Sequence, residues 1–222
     1  MVVLMVLALL LPASRQVLLS AIGMKASSAP TYVAVIPFTS TSPDDQALAD
    51  GLVQAVTSMV ARLETARDSL WVIPASEIVN RQITSAVEAR KMLGATTVVQ
   101  IEVQHIGAET RINLNLVDPN AEVARVLDAE TLPGPLDPAF QEEALTALAG
   151  LLKTGVDAET RHVAALDRPT TPDAYSFYFQ GTGYLQRYDQ TGNIDNAMML
   201  FTQAIEEDSL YALAHAGLCE AT

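Results

Sequence analysis

The residues that could carry chemistry are few and lie far apart along the chain. His105, His162 and His215 could bind a metal or move a proton, but they are isolated from one another in the sequence, and the residues around each do not complete a metal site. Two acidic pairs could act as general acid and base, but both stand at predicted helix starts, where the helix dipole favours negative charge. These pairs are Asp44 with Asp45 and Glu142 with Glu143. We therefore predict no catalytic residue, no metal site and no cofactor.

Two further motifs have a structural interpretation that outweighs the chemical one. Ser76 in "PASE" lacks the Gly-x-Ser-x-Gly elbow of a nucleophile, so we expect it to be an N-cap instead, with Ser76 or Pro74 opening a short helix. The "GTG" at 181–183 could suggest a phosphate cradle, but it lies inside a helical pattern with no strand before it. The small residues there favour close packing between helices.

Composition limits the classes of partner. The 222 residues leave room for one ordinary domain and a smaller unit, and a hydrophobic fraction of 50% supplies a core. Asp and Glu outnumber Lys and Arg by 26 to 13, for a net charge of −13, which argues against a nucleic acid as partner. Cys219 is the one cysteine, so an internal disulfide is excluded.

The amino-terminal 23 residues are predicted to be an apolar, membrane-associated segment. The run "MVVLMVLALLL" covers only ~16 Å of a ~30 Å hydrocarbon core before Pro12 and Arg15 interrupt it. A signal peptide and a buried helix remain alternatives, although a signal peptide should begin with basic residues. We favour the end of a transmembrane helix whose first half lies upstream of Met1. Residues 24–31 then form a linker.

Residues 32–165 predict an α/β domain with a mixed sheet and helices mainly on one face. The buried strands "YVAVIPF" and "LWVI", with Trp71 in the core, alternate with helices at 46–64, 76–81 and 84–94. The last of these helices should begin at Thr84 and stop at Gly94. Alternating strands near 96–104 and 110–118 predict a hairpin, a third strand extends it to a meander, and a helix follows at 138–153.

After a proline-containing linker at 166–172, residues 173–222 predict an all-α unit rich in aromatic residues. Small and large side chains recur at i, i+4 and i+7 in two consecutive helices, which lets antiparallel helices interlock. The repeat-packing residues are Phe177, Gly181 and Tyr184 in the first helix, Ala197, Phe201 and Ala204 in the second, and Gly217 in the third. The acidic "EED" at 206–208 is expected to be a solvated helix end.

This pattern is similar to the tetratricopeptide repeat. Gly181 and Tyr184 match the small and aromatic positions of helix A, Ala197, Phe201 and Ala204 match helix B, and "ALAHAGLCEAT" resembles helix A of a second repeat. About three such repeats are needed to bury their apolar faces, so we expect the natural protein to continue beyond Thr222. The resemblance implies a protein or peptide partner that binds the helical repeats.

Residues 32–118 look like the TolB-like domain of bacterial signalling proteins. The matching stretches are "VAVIPF", "ADGL", "SLWVIPASEI", "TSAVEARKMLGATTVV" and "RINLNLVD". With the repeats, the whole resembles the carboxy-terminal half of membrane-bound bacterial serine/threonine protein kinases, which implies an upstream kinase domain and an extracytoplasmic soluble part. The glycine-rich loop, His-Arg-Asp loop and Asp-Phe-Gly motif of a kinase are missing from this sequence, so the chain itself is predicted to be non-catalytic.

Two other functions remain open. The chain could be a stand-alone exported envelope protein that acts as an assembly scaffold; an upstream reading frame encoding a kinase would argue against this, and a ribosome site with a stop codon would support it. It could also be a hydrolase or ligand-binding protein of the α/β domain. A pocket with convergent polar groups and a perturbed carboxylate would favour that third function.

Overall fold

The computed structural model describes residues 30–222, apart from 39–41, 65–68, 107–108, 122–123, 133–135, 137–138 and 167–168. The predicted apolar segment 1–23 and most of the predicted linker 24–31 therefore lie outside the described residues. Residues Thr31–Thr222 form one compact unit. None of the eight helices in this described part has the length and hydropathy that a bilayer crossing requires.

The order of elements confirms the mixed α/β prediction. The strands are β1 (Thr31–Pro37), β2 (Leu70–Val72), β3 (Thr97–Ile106), β4 (Glu109–Val117) and β5 (Val126–Leu132). The helices are α1 (Pro43–Glu64), α2 (Ala75–Asn80), α3 (Ala86–Leu93), α4 (Phe140–Leu151), α5 (Ala158–Leu166), α6 (Pro172–Leu185), α7 (Asn193–Glu207) and α8 (Ala212–Ala221). Helix α5 was not predicted.

The five strands form one sheet in the order β2-β1-β3-β4-β5. Strand β1 lies parallel to both β2 and β3, and the two connections through helices are the crossovers that parallel strands require. Strands β3, β4 and β5 are antiparallel, which is the predicted meander. The sheet therefore has a parallel half and an antiparallel half.

Helices cover both faces of the parallel half, so the expectation of mainly one covered face is corrected. Val33 and Val35 of β1 face a core that includes residues of α1 and α4, whereas Ala34 and Ile36 face a second core with α2 and α3. All four side chains are fully buried. Burial on both faces explains why β1 reads as a continuous apolar run instead of an alternating one.

Trp71 is exposed, contrary to the prediction that it lies in the core. It lies on β2, which is an edge strand, and 51% of its surface is accessible, whereas the preceding Leu70 is buried. Its partner in the register is Tyr32 of β1, which is also exposed. The alternation of a strand with one covered face accounts for this difference.

Helix α3 begins one residue later than predicted. Its N-cap is Ser85, not Thr84, and Ser85 forms a capping box with Glu88: the hydroxyl accepts from the Glu88 N–H, and the carboxylate accepts from the Ser85 N–H. The backbone N–H of Thr84 also donates to this carboxylate, and these bonds lower the pKa of Glu88. Gly94 ends the helix in the left-handed conformation, with φ of 73°, as predicted.

The helical part packs directly on the first helix of the α/β part. Thr171 caps α6 and Pro172 is its first residue, so this helix begins at the last residue of the predicted linker. Helix α6 then crosses α1 so closely that a Cβ on Gly183 would overlap the backbone carbonyl of Ala47, and a Cβ on Gly51 would overlap that of Phe179. Two glycines, one from each helix, therefore permit this crossing.

Candidate functional site

The described histidines are separate from one another. His162 is exposed on α5, and His215 is exposed on α8 with its Nε2 atom 2.9 Å from the carbonyl oxygen of Ser209. The side chain of His105 lies outside what the structure describes. Within the described residues, no group of three histidine, cysteine or acidic side chains is placed to hold a metal ion.

The candidate acid–base and nucleophile residues lie at helix starts. Glu142 and Glu143 are exposed in the first turn of α4, and Asp45 lies in the first turn of α1. The side chain of Asp44 is outside the described part. Ser76 is exposed in α2, and Pro74 occupies the N-cap position without a side-chain hydrogen bond. Of the two residues predicted to open this helix, Pro74 therefore does so, and the prediction that Ser76 caps it is wrong.

One aromatic ring packs between α6, α7 and α8. Phe201 of α7 is 1% exposed and lies between two glycines, Gly181 of α6 and Gly217 of α8. A Cβ added at Gly181 would lie 2.9 Å from the ring, and one added at Gly217 would lie 2.7 Å from it. The absence of a side chain at both glycines thus makes the slot that the ring fills.

The other four predicted packing residues lie on either side of this ring. Ala197 and Ala204 of α7 are fully buried, which allows α7 to approach its neighbours closely. Tyr184 packs with Ala197 and Phe201, whereas Phe177 packs with Ala204 in an adjoining cluster. The structure thus places these residues in two adjoining clusters between α6, α7 and α8.

A second apolar stripe on α6 was not interpreted from the sequence. Tyr175 and Phe179 are fully buried on the side toward the α/β core, where the Phe179 ring centroid lies 5.9 Å from that of Phe140 on α4. The ring centroid of Tyr178 lies 5.2 Å from that of Tyr211, the residue before α8. The spacing of Tyr175 and Phe179, at i and i+4, could have indicated a helix buried on two sides.

Asp208 differs from the solvated helix end that "EED" was expected to form. Its Oδ2 atom accepts bonds from the Thr170 N–H at 2.7 Å and the Thr170 hydroxyl at 3.0 Å, and its Oδ1 atom accepts from the Leu210 N–H at 3.0 Å. The Thr170 backbone bond contributes most to lowering the pKa of Asp208. Glu206 and Glu207 are exposed as predicted. Asp208 therefore fastens the segment before α6 to the end of α7.

A groove runs beside the crossing of α1 and α6, and we call it the α1–α6 groove. It has a volume of about 150 Å³. Its lining combines apolar side chains with amides, hydroxyls and one cation, including Met59, Leu213, Gln54, Gln141, Thr182 and Arg62. Gln141 is 8% exposed, and its Oε1 atom has no hydrogen-bond partner among the described residues. A buried carbonyl oxygen without a donor marks a place where a bound molecule can supply one.

The chemistry of this groove is that of recognition. Amides donate and accept hydrogen bonds, and the apolar lining gains free energy when another side chain covers it. Among the described residues that line it, there is no carboxylate or imidazole to act as a base. Sequence reasoning missed Gln141 because a glutamine directly before "EE", in the first turn of a helix, carries no periodic signal of burial.

The sequence was compared with protein-family models and with curated proteins, and no match was found in either case. The resemblance to tetratricopeptide repeats and to the TolB-like domain thus stays a prediction.

Proposed function

We propose that this chain is a non-catalytic interaction region, and that its α1–α6 groove binds a peptide segment of a protein partner. The observation that carries the proposal is the buried Oε1 atom of Gln141, which lacks a donor among the described residues and lines a groove of mixed apolar and polar side chains. A peptide N–H would supply that donor, and a peptide side chain would cover the apolar lining.

The size of the groove favours a peptide over a free small molecule. Small-molecule sites usually have about 300–1,000 Å³, whereas this groove has about 150 Å³. Such a volume suits one inserted side chain, with the rest of the peptide lying along the helices. Tyr178 and Leu213 offer the apolar contact, while Gln54 and Thr182 offer polar contacts beside it.

We place this interaction region in a membrane-bound bacterial signalling protein, as the extracytoplasmic part of a serine/threonine protein kinase anchored by its amino-terminal segment. The support for this setting is the resemblance of residues 32–222 to that class of protein. The tight crossing of α1 and α6 adds a physical reason for a sensory role, because a peptide in the groove would contact both parts of the unit.

The proposal is tested by selecting peptides from a random displayed library on the full chain in mild detergent. Ser58→Arg places a long cationic side chain in the groove, and we expect it to weaken binding of the selected peptides by about tenfold or more. Thr202→Arg on α7 is the matched control, because the Thr202 hydroxyl bonds the carbonyl four residues earlier just as the Ser58 hydroxyl does.

Two outcomes would contradict this function. One is a library selection that yields no peptide with measurable affinity for the full chain. The other is a set of selected peptides that bind the Ser58→Arg and Thr202→Arg variants equally well, since these peptides would then bind elsewhere.

A further inference from the structure

An ion pair between a buried carboxylate and a partly exposed arginine joins the α/β part to the loop after α6. Asp50 of α1 is only 1% exposed, and the Nε atom of Arg187 lies 2.7 Å from its Oδ2 atom. The side-chain amide of Gln46 donates to its Oδ1 atom at 3.0 Å. Burial raises the pKa of Asp50, and the nearby Arg187 and Gln46 only partly offset this rise.

Such a pair is a poor device for stability alone. Taking the Asp50 carboxylate out of water costs free energy that the attraction of the partly exposed Arg187 only partly restores, and an apolar side chain of similar size commonly stabilises a protein at least as well. A buried carboxylate whose pKa is raised, and which lines a cleft, is instead a common property of binding sites. Asp50 and Arg187 both line such a cleft.

This polar cleft lies at the carboxyl end of β1 and has a volume of about 370 Å³. Its walls come from Pro37 at the end of β1, the first half of α1, the turn after α2 and the loop after α6. The connection from β1 to β2 and the connection from β2 to β3 lie on opposite faces of the sheet. Open α/β sheets bind ligands at this kind of switch point, outside the carboxyl ends of the strands.

Gln82 in the turn after α2 adds an independent observation. Its φ is 52°, in the left-handed region that favours glycine, and its side chain lines the cleft. The bonds from the Gln82 N–H to the Val79 carbonyl and from the Ile83 N–H to the Ile78 carbonyl form the helix-ending motif in which glycine is usual. The backbone at Gln82 is thus strained, and its amide side chain lies in the cleft at a position that glycine would adopt with less strain.

The polar groups of the cleft indicate the class of ligand. Asn80, Gln82 and Gln190 are amides, which pair with hydroxyl groups as donors and as acceptors. The carboxylates of Asp50 and Asp189 disfavour an anion, and Arg187 disfavours a cation. We propose that the polar cleft binds a neutral, hydroxyl-rich small molecule, a sugar or another polyol. This cleft has the convergent polar groups and the perturbed carboxylate that favour a ligand-binding function of the α/β domain. Its role does not depend on peptide binding in the α1–α6 groove.

The test is isothermal titration calorimetry on the full chain, in a detergent without a sugar headgroup. A panel of neutral mono- and disaccharides and inositol is compared with acetate, glutamate and inorganic phosphate. We expect a neutral polyol to bind. We expect Gln82→Gly to weaken its binding about tenfold, because that variant removes one hydrogen-bonding side chain without straining the backbone.

Lys153→Gly is the matched control. Lys153 also has φ of 52° and ends a helix, α4, but it does not line the cleft. We expect this variant to bind the polyol as the natural chain does. The proposal is overturned if no neutral polyol binds, if only the anions bind, or if Gln82→Gly and Lys153→Gly have the same affinity. Peptides selected for the α1–α6 groove should bind Gln82→Gly normally, so that failure of one site is distinguishable from failure of the other.

Discussion

Asp208 shows how one carboxylate can close a boundary between two segments. Both of its oxygen atoms accept hydrogen bonds, and the donors come from two separate segments of the chain. Thr170 precedes α6, and Leu210 precedes α8. The carboxylate therefore holds the entrance of α6 and the α7–α8 turn together.

We expect Asp208→Asn to lower the free energy of unfolding by about 2 kcal/mol at neutral pH, because an amide NH₂ would face an N–H donor at one of the two oxygen positions. The pKa of Asp208 is lower in the folded chain than in the unfolded chain. Its stabilisation is therefore complete above the ordinary Asp pKa of about 3.9 and is lost as the pH falls through the lower, folded value. Urea unfolding of the natural chain and of Asp208→Asn at a series of pH values measures how this stabilisation depends on pH.

Glu207→Gln is the control for Asp208→Asn, since Glu207 is the preceding acidic residue and is exposed. It should change the free energy of unfolding little at any pH. A penalty for Asp208→Asn that stayed constant down to about pH 2 would show that shape, and not charge, is what Asp208 contributes.

At the scale of residues, local signals were predictable and distant partners were not. Gly94 acts within its own helix, so its position in the sequence alone indicated where that helix ends. Asp208 depends on Thr170, 38 residues away, and Trp71 depends on β2 being an edge strand. Neither fact is present in the neighbouring sequence. Asp50 was missed for the same reason, because Arg187 reaches it from another part of the chain.

At the scale of elements, the crossing of α1 and α6 depends on two glycines. We expect Gly183→Ala to lower the free energy of unfolding by about 3 kcal/mol, because its Cβ would overlap the backbone carbonyl of Ala47 and a backbone atom cannot turn aside. The loss outweighs the gain in helix propensity of about 1 kcal/mol that alanine brings. Thermal and urea unfolding of the full chain, with and without Gly183→Ala, measure this change in the free energy of unfolding.

The control for Gly183→Ala is the same substitution at Gly150 in α4. A Cβ at Gly150 would meet nothing within 4 Å, and the residue is exposed. Gly150→Ala should therefore raise the free energy of unfolding by about 1 kcal/mol, the ordinary preference of a helix for alanine. Equal effects at the two positions would mean that α1 and α6 do not approach as closely as described here.

Periodicity was enough to predict most elements but not how they meet. The apolar spacing of α1, α6 and α7 indicated three amphipathic helices, and the interlocking of α7 with its neighbours followed from small residues opposite large ones. Helix α5 was missed because it has only nine residues and its sequence, AETRHVAAL, is weakly apolar. The contact of α6 with α1 was missed because "GTG" was interpreted only through its own helical pair, whereas Gly183 faces the other side.

At the scale of the whole molecule, α1 has two partners at once. Its apolar face shares a core with β1 and β3, while Gly51 lies against α6. A series of aromatic rings continues the contact, because Phe140 of α4 touches Tyr175 and Phe179 of α6, and Tyr175 stacks on Tyr211 before α8. The sheet and the repeat helices thus share one continuous interior instead of two.

This continuity predicts that residues 31–222 unfold in a single cooperative step. Loss of α6 would uncover Phe140 and one side of α1, so the sheet cannot remain intact while the repeat helices open. Native-state hydrogen exchange of the full chain should give the slowest amides of β3 and of α7 the same free energy of opening. Amides of α6–α8 that opened together at a clearly lower free energy would contradict this. They would show that the helical part is a separate folding unit resting on the sheet, and that α1 belongs to the sheet alone.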